Sequence, residues 1–392
     1  MNAQTFDVIV LGAGAAGLMC AMTAGQRGRR VLLLDHADEA GKKILISGGG
    51  RCNFTNLEAA ADRFLSGNPH FAKAALARYT QHDFLALIDK HNIAWHEKTL
   101  GQLFCDGSAR QVVQMLLAEC AVGGVDIRTQ HRVQTVSRTD AFQVDTDHGR
   151  FTAPALVLAT GGLSIPKMGA TGLSHDIAAR FGLAVTECRP ALVPLAFAGD
   201  DLALMQGLAG VSLPVLARCA RKTFAEAALF THRGLSGPAI LQISSYWQPG
   251  AEITLDLLPG VNAGAELIAR KHTRPKAELR NVLGEFLPQR LAVALAAQAG
   301  DGVMAERRSK TLADLAARLK TWTLRPSGSE GYGKAEVTSG GVDTAGLSQR
   351  TLQAKAVPGL FVIGEAVDVT GWLGGYNFQW AWSSGFCAGQ AV

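Results

Sequence analysis

The sequence of 392 residues has no apolar run approaching the ~18 residues that a bilayer-crossing helix needs. Its opening, MNAQTFDVIVLGAG, also lacks the basic n-region of a signal peptide. A cytoplasmic protein without a membrane segment is therefore expected. Paired cysteines are missing too: the seven cysteines, at 20, 52, 105, 120, 188, 219 and 387, are scattered, with no CxxC spacing. This pattern argues against a disulfide framework and a structural zinc site, and no metal is expected. Charge is sparse, at 18% of residues and a net +5, which permits a polyanionic partner without requiring one. Neither internal repeats nor low-complexity tracts are visible, and a hydrophobic content of 48% is that of an ordinary globular chain.

Glycine is abundant, with 44 residues, and suggests loops whose backbone approaches a ligand closely. The run FDVIVL (6–11) reads as a strand buried on both faces. It leads into Gly12-Ala13-Gly14-Ala15-Ala16-Gly17, an alanine-rich helical stretch to about Gly28, and a second apolar run, 31–34, ending at Asp35. This is one βαβ unit: the first glycine makes a tight turn, the second admits a pyrophosphate, and the third lets helix and strand touch. The helix N-terminus offers free N–H groups and a positive dipole end to the phosphates. Asp35 stands near the spacing of roughly 20 residues expected of a ribose-binding carboxylate. A dinucleotide site is expected on Gly12, Gly14, Ala15, Ala16, Gly17 and Asp35.

Residues 68–92, containing FAKAALARYTQHDFLALIDKHN, read as helical, as do 110–123. Residues 125–136 and 142–152 read as strands, and ALVLAT (155–160) as a buried strand running into Gly161-Gly162. From 190 to 261 short β-like pieces such as VSLPVLARC and EITLDLL alternate with Gly and Pro, predicting a β-rich insertion. Residues 262–324 turn helical and more basic, 325–335 form a linker, and 336–392 return to strand patterns. The expected fold is α/β: a Rossmann-like domain built from 1–189 and 336–392, interrupted by the β-rich insertion and a small helical subdomain.

The far end of the chain favours FAD over NAD. VPGLFVIGE ends a strand in Gly364-Glu365, where FAD proteins commonly hold ribitol and pyrophosphate. Gly374-Gly375-Tyr376-Asn377-Phe378-Gln379 then enters a helix whose N-terminus could stabilise negative charge at flavin N1 and the C2 carbonyl. Gly375, Asn377, Phe378 and Gln379 thus join the expected cofactor surface. Only one GxGxxG unit exists, so no separate nicotinamide domain is evident, and Thr160-Gly161-Gly162 are expected to close over the same FAD.

The segments GAGAAGLMCA, GKKILISGGGRCNFTN, IAWHEKTLGQLFCD, ATGGLSIPKMG, LFTHRGLSGPAILQISSYWQPG, EVTSGGVDT and VPGLFVIGEAVDVTGWLGGYNFQWAWSSG together resemble the BaiN/YhiN-like family of FAD-dependent flavoproteins, over essentially the whole chain. The resemblance implies an inserted domain that is β-barrel-like and a family that reduces carbon–carbon double bonds, including those of bile-acid intermediates. IAWHEKTLGQLFCD and FTHRGLSGPAILQISSYWQPG look especially like a branch linked to dihydrouridine formation in 23S ribosomal RNA. It places SGGGRCN on the FAD surface, so Ser47, Gly49, Gly50, Arg51, Cys52 and Asn53, with Lys43 and Val133, are expected cofactor contacts.

In uridine the C5=C6 bond is conjugated with the C4 carbonyl, so the expected chemistry is hydride transfer from reduced flavin N5 to C6 with protonation of C5. Steroid enones ask for the same chemistry. His232 and Arg233, on a polar loop, could polarise a carbonyl or contact a phosphate. Tyr376 could donate a proton, and Cys52 could act as a thiol whose pKa the adjacent Arg51 lowers. Cys105 reads as a small buried residue. An RNA substrate needs a positive track, for which Arg270, Lys271, His272, Arg274, Lys276, Arg280, Arg307, Arg308 and Lys310 are candidates, joined by Arg218, Arg221 and Lys222. Trp247, Trp380 and Trp382 could stack on a base extruded from folded RNA. The electron source is either NAD(P)H or a carrier protein. A small-molecule enone reductase and a non-catalytic flavin-binding redox protein remain open.

Overall fold

A computed structural model describes residues 4–392. The chain divides into two compact units, one formed by residues up to Arg189 together with Val337–Val392, the other by Pro190–Glu336.

The first unit is built on a five-stranded parallel sheet in the spatial order Leu360–Val362, Ala155–Leu158, Val8–Leu11, Val31–Leu34, Asp126–Arg128. Four of these strands are runs of Val, Ile, Leu, Phe and Ala with every residue buried, as a sheet covered on both faces requires. The edge strand comes from the C-terminal segment and pairs in register with Ala155–Leu158 (Val157 opposite Phe361). The first helix, Ala15–Gln26, is buried from Ala16 to Gly25, so its apolar residues run all round rather than along one stripe.

The last helix, Tyr376–Gly389, packs directly on the first. A Cβ on Gly385 would lie 2.5 Å from the Ala16 carbonyl oxygen, and one on Gly389 would lie 2.7 Å from that of Cys20. Residue numbers rise together along both contacts, so the helices run parallel. Arg27, just past the first helix, agrees: its Nη1 donates to the Gly389 carbonyl (2.8 Å) at the end of the last. Beneath the last helix, Trp382 stacks between Phe84 (4.3 Å) and Phe378 (5.6 Å).

Two segments differ from the sequence expectation. Residues 125–136 are not one strand: Asp126–Arg128 belongs to the parallel sheet and Val133–Arg138 to an antiparallel meander with Phe142–Thr146 and Gly149–Ala153. Gln130, at φ 56°, turns the chain between them. Residues 68–92 form two helices, Ala72–Arg78 and Gln81–Lys90. The second is started by a capping box in which the Thr80 hydroxyl accepts from the Asp83 N–H while the Asp83 carboxylate accepts from the Thr80 N–H.

The second unit holds a seven-stranded antiparallel sheet ordered Trp322–Leu324, Ile253–Asp256, Ser212–Cys219, Lys222–Phe230, Gly234–Ser236, Leu195–Ala196, Gly328–Ser329. Among the described residues the sheet is open rather than a closed barrel, which corrects the barrel-like expectation: pairing ends at Trp322–Leu324 on one side and Gly328–Ser329 on the other. Helices Ala263–Thr273, Leu279–Leu283, Gln289–Gln298 and Ser309–Lys320 make up the helical part of this unit.

Candidate active site

The turn between the first strand and the first helix is shaped by contact distances. A Cβ on Gly12 (φ 108°) would lie 2.4 Å from the Ala159 oxygen, and one on Gly17 would lie 1.8 Å from the Gly12 oxygen, so neither position tolerates a side chain. A Cβ on Gly14 would meet nothing within 4 Å. The helix therefore begins at Ala15 with an open space over Gly14, and no side chain caps its N-terminal N–H groups. Unsatisfied donors facing open space are what a pyrophosphate needs. Asp35 is held at the end of its strand: Oδ2 accepts from the Ala13 N–H (2.7 Å) and Oδ1 from the Ala37 N–H (2.8 Å). Lone-pair sites remain on both oxygens for ribose hydroxyls. Val133 opens the meander strand two residues after His131, whose N–H donates to the Asp35 carbonyl.

A second cluster centres on Glu365, whose side chain is 18% exposed. Its Oε2 accepts from Lys43 Nζ (2.7 Å), and its Oε1 accepts from the Ser164 hydroxyl (3.0 Å) and the Thr338 N–H (2.8 Å). Burial pushes this carboxyl up, but the Lys43 charge and the hydrogen bonds outweigh it and hold the group below its usual range. Lys43 also donates to Ser164 Oγ (2.8 Å), leaving a third ammonium proton for a ligand. A Cβ on Gly162 would lie 2.5 Å from Thr338 Oγ1 and 2.8 Å from Glu365 Oε1, so this glycine makes room for the cluster. Gly161 beside it has φ 77°, and Thr160 is paired through its hydroxyl with Ser174 (2.7 Å). Gly364 abuts the first helix, where a Cβ would be 2.8 Å from that of Ala16. Ser164 and Thr338 were not singled out from sequence, because their partner Glu365 lies 201 and 27 positions away and nothing local marks the pairing.

Gly48, Gly49 and Gly50 explain the triple glycine: all three have positive φ (56°, 67° and 84°) in one left-handed turn. Gly49 has nothing within 4 Å of a Cβ, so the turn presents bare backbone outward. Ser47 closes onto the Ile44 carbonyl (2.7 Å), and Arg51 is exposed. Oriented to satisfy its neighbours, the Asn53 amide accepts from the Gly375 N–H (3.2 Å) and donates to the Leu103 carbonyl (3.1 Å). Gly375 (φ 95°) admits no Cβ, which would sit 2.3 Å from the Thr55 oxygen. Asn377 fixes the loop before its helix, accepting from the Gly371 N–H (2.8 Å) and donating to the Gly371 carbonyl (2.9 Å).

Several of the residues singled out from sequence lie in the interior. Cys52 is fully buried, and burial pushes its thiol far up, so a thiolate is disfavoured. Replacing Cys52 with Ala is expected to cost about 1 kcal/mol of stability, as small buried substitutions do, and to leave turnover intact. A flavin-loaded C52A protein without turnover would restore the thiol role. Gln379 is likewise 0% exposed: Oε1 accepts from the Thr55 hydroxyl (2.6 Å), and Nε2 donates to the Tyr79 carbonyl (3.1 Å) and Ser383 (3.0 Å). Its amide braces the helix through these bonds. Trp380 and Trp382 are buried, with their indole N–H groups on the carbonyls of Gly364 and Phe54, so they belong to the core and not to a base-stacking platform. Cys105 is buried, its thiol pushed up to about 11 by burial and then Asp106.

Tyr376 is 5% exposed between Phe64 and Trp372, and Phe378 is half-buried against Trp382. In the second unit His232 is exposed, and the Arg233 guanidinium lies 3.8 Å from Glu330. The expected basic track is paired only in part within its own unit, since Lys276, Arg308 and Lys310 are exposed and meet no acid among the described residues. Arg270 pairs with Glu285 (2.8 Å) and Glu266 (3.4 Å), Arg274 with Glu285, and Arg280 with Glu278 and Asp301 (3.4 Å), while Lys271 and Arg307 donate to backbone carbonyls. Among the described residues no helix is long and apolar enough to cross a membrane, and no group of acidic, His and Cys side chains could hold a metal.

A family model described as HI0933-like protein Rossmann domain matches residues 6–391. The chain belongs to this family. This HI0933-like protein is 50% identical over 391 residues, 99% of its own length and 98% of the relative's, to a ribosomal RNA dihydrouridine synthase of Escherichia coli (strain K12). It is 29% identical over 403 residues, 98% of both chains, to a 3-dehydro-bile acid delta(4,6)-reductase of Clostridium scindens. Among solved structures, a quinol-fumarate reductase with menaquinol molecules matches it over 100% of this chain and 71% of the other, with a TM-score of 0.53 at 14% identity. At that identity the likeness is one of fold.

Proposed function

We propose that this HI0933-like protein is an FAD-dependent oxidoreductase that reduces uridine to dihydrouridine in 23S ribosomal RNA. The observation that carries the substrate is the 50% identity across 99% of this chain and 98% of a ribosomal RNA dihydrouridine synthase. The cofactor reading is supported by the helix packing. Gly385 sits level with Ala16, and the two helices run parallel, so the last helix starts roughly eight residues, or about 12 Å, beyond the start of the first. Two uncapped N-termini therefore face the same way with a stagger suited to the ribityl chain that separates a pyrophosphate from an isoalloxazine. The open space over Gly14, the third proton of Lys43 and the bare turn at Gly49 fit the same molecule.

In this reading Gly14, Ala15 and Ala16 present N–H groups to the pyrophosphate, Asp35 accepts from the adenosine ribose, and Lys43 reaches the phosphates or ribitol. The positive end of the last helix would stabilise negative charge developing at N1 and the C2 carbonyl of a flavin held there. Bound there in its reduced form, the cofactor supplies a hydride from N5 to uracil C6. His232 is assigned the proton for C5, with Arg233 polarising the C4 carbonyl, and Tyr376 is the competing donor. The electrons come from NAD(P)H or a carrier protein.

The test is mass spectrometry of 23S ribosomal RNA from cells with and without the gene. The two-hydrogen increment of dihydrouridine should vanish on deletion and return when FAD-loaded protein and a reductant are added to the extracted RNA. An unchanged spectrum would overturn the RNA reading. The bile-acid reductase relative, 29% identical over 98% of both chains, favours a conjugated small-molecule enone as the alternative acceptor.

A further inference from the structure

Arg218 and Arg221, on the hairpin formed by Ser212–Cys219 and Lys222–Phe230, have no acidic partner among the described residues. The hairpin turns through Ala220 (φ 50°) and Arg221. Along its first strand Leu213, Val215, Ala217 and Cys219 point into the core while Ser212, Pro214 and Arg218 face solvent. Arg218 and Arg221 are exposed and make no hydrogen bond or ion pair among the described residues. Lys222 lies with its ammonium 5.7 Å from the Tyr246 ring centre.

Register puts Arg218 opposite Thr223 on one side and Thr254 on the other, with Thr254 opposite Thr323. One row across four strands thus reads Thr223, Arg218, Thr254, Thr323 and spans roughly 15 Å at strand spacing. The acids nearby are all engaged. Glu226 faces the opposite side of the sheet and meets Gln242, Asp256 is buried against Lys320 (2.7 Å), and Glu252 is paired with Arg325 (2.8 Å).

Unpaired guanidinium forks beside hydroxyls, on a rigid sheet face with no exposed large apolar side chain, match a phosphodiester backbone: guanidinium binds phosphate in a bidentate manner, and threonine hydroxyls reach phosphate or ribose oxygens. We infer that the hairpin face carrying Arg218, with Thr223, Thr254 and Thr323, together with Arg221 at its turn, is the surface that grips the backbone of the RNA substrate. This rests on the ribosomal RNA reading and adds to it where the strand is held.

The experiment measures binding of the full-length, FAD-loaded protein to protein-free 23S ribosomal RNA from the deletion strain, across a series of salt concentrations. The double variant R218E/R221E should lose roughly tenfold or more in affinity at low salt, and its log–log salt slope should flatten by about 1.5, the change expected for two lost single-strand phosphate contacts. R218K/R221K, which keeps both charges, should retain most of the slope. K276E, at an exposed cation of the helical section, should move neither quantity. Flavin content and melting temperature report whether each variant is folded. Wild-type affinity and slope in R218E/R221E, or an equal loss in K276E, would overturn the surface while leaving the proposed function standing. A flavin-loaded wild type that neither binds nor reduces this RNA would remove both.

Discussion

Alanine in place of Gly14 is expected to strip the protein of flavin while leaving it folded. The backbone there, at φ −84° and ψ −170°, is open to any residue, and an added Cβ meets no protein atom within 4 Å. The methyl instead enters the space where the pyrophosphate must approach the helix N-terminus. An overlap of this kind costs about 1–3 kcal/mol, or roughly 5- to 150-fold in affinity. The variant should purify largely colourless, melt as the wild-type apoprotein does, and need a proportionately higher FAD concentration to reconstitute. Gly12→Ala makes the contrast. Its Cβ collides with the Ala159 carbonyl carbon and oxygen, so it should lower the apoprotein's own melting temperature. Stoichiometric FAD in purified G14A protein would show that the open space over the turn is not the phosphate site.

The second large effect concerns Glu365. Glutamine keeps its shape and can still accept from Thr338 and Ser164, but it loses the charge that Lys43 answers. Removing one charge-assisted hydrogen bond at a largely buried site costs about 2 kcal/mol, which lowers the melting temperature by roughly 4–8 °C for a unit of this size. The pH dependence has a definite sign. The carboxyl's folded pKa lies below its ordinary value of 4.5, so its contribution is fully present above that value and is lost as pH falls through the folded pKa. The stability gap between wild type and E365Q should be constant near neutrality and close below about pH 4.5. A gap that persists unchanged under acid conditions would mean that the loss comes from packing and not from the Lys43 pairing.

How much of this was legible beforehand depends on the reach of each interaction. The first βαβ unit could be read directly because strand, turn, helix and acid follow one another within about thirty residues, and each glycine acts on backbone close to it in sequence or space. The helix break at Thr80 was also locally encoded, in the Thr-x-x-Asp box, although the continuous helical periodicity masked it. The bend at Gln130 carried no such mark, since a glutamine at φ 56° is a conformation imposed by the two sheets it connects. Cys52 shows the limit for chemistry: Arg51 beside it in sequence suggests an activated thiol, yet adjacent residues point to different sides, and burial decides the outcome.

The basic track illustrates the same point for charge. Composition counts every arginine equally, whereas folding brings Glu266, Glu278, Glu285 and Asp301 onto Arg270, Arg274 and Arg280 and leaves Arg218, Arg221 and Arg308 without an acid among the described residues. The sequence by itself determined the dinucleotide turn, the α/β class and the family, because each rests on residue types at short spacing or on long contiguous motifs. Only the tertiary structure decided which helix starts face the same way, which acid meets Lys43, and which cations stay free. The helix contact and the Lys43–Glu365 pair join residues hundreds of positions apart, and the energies of all these contacts depend on burial and distance, which spacing along the chain does not encode.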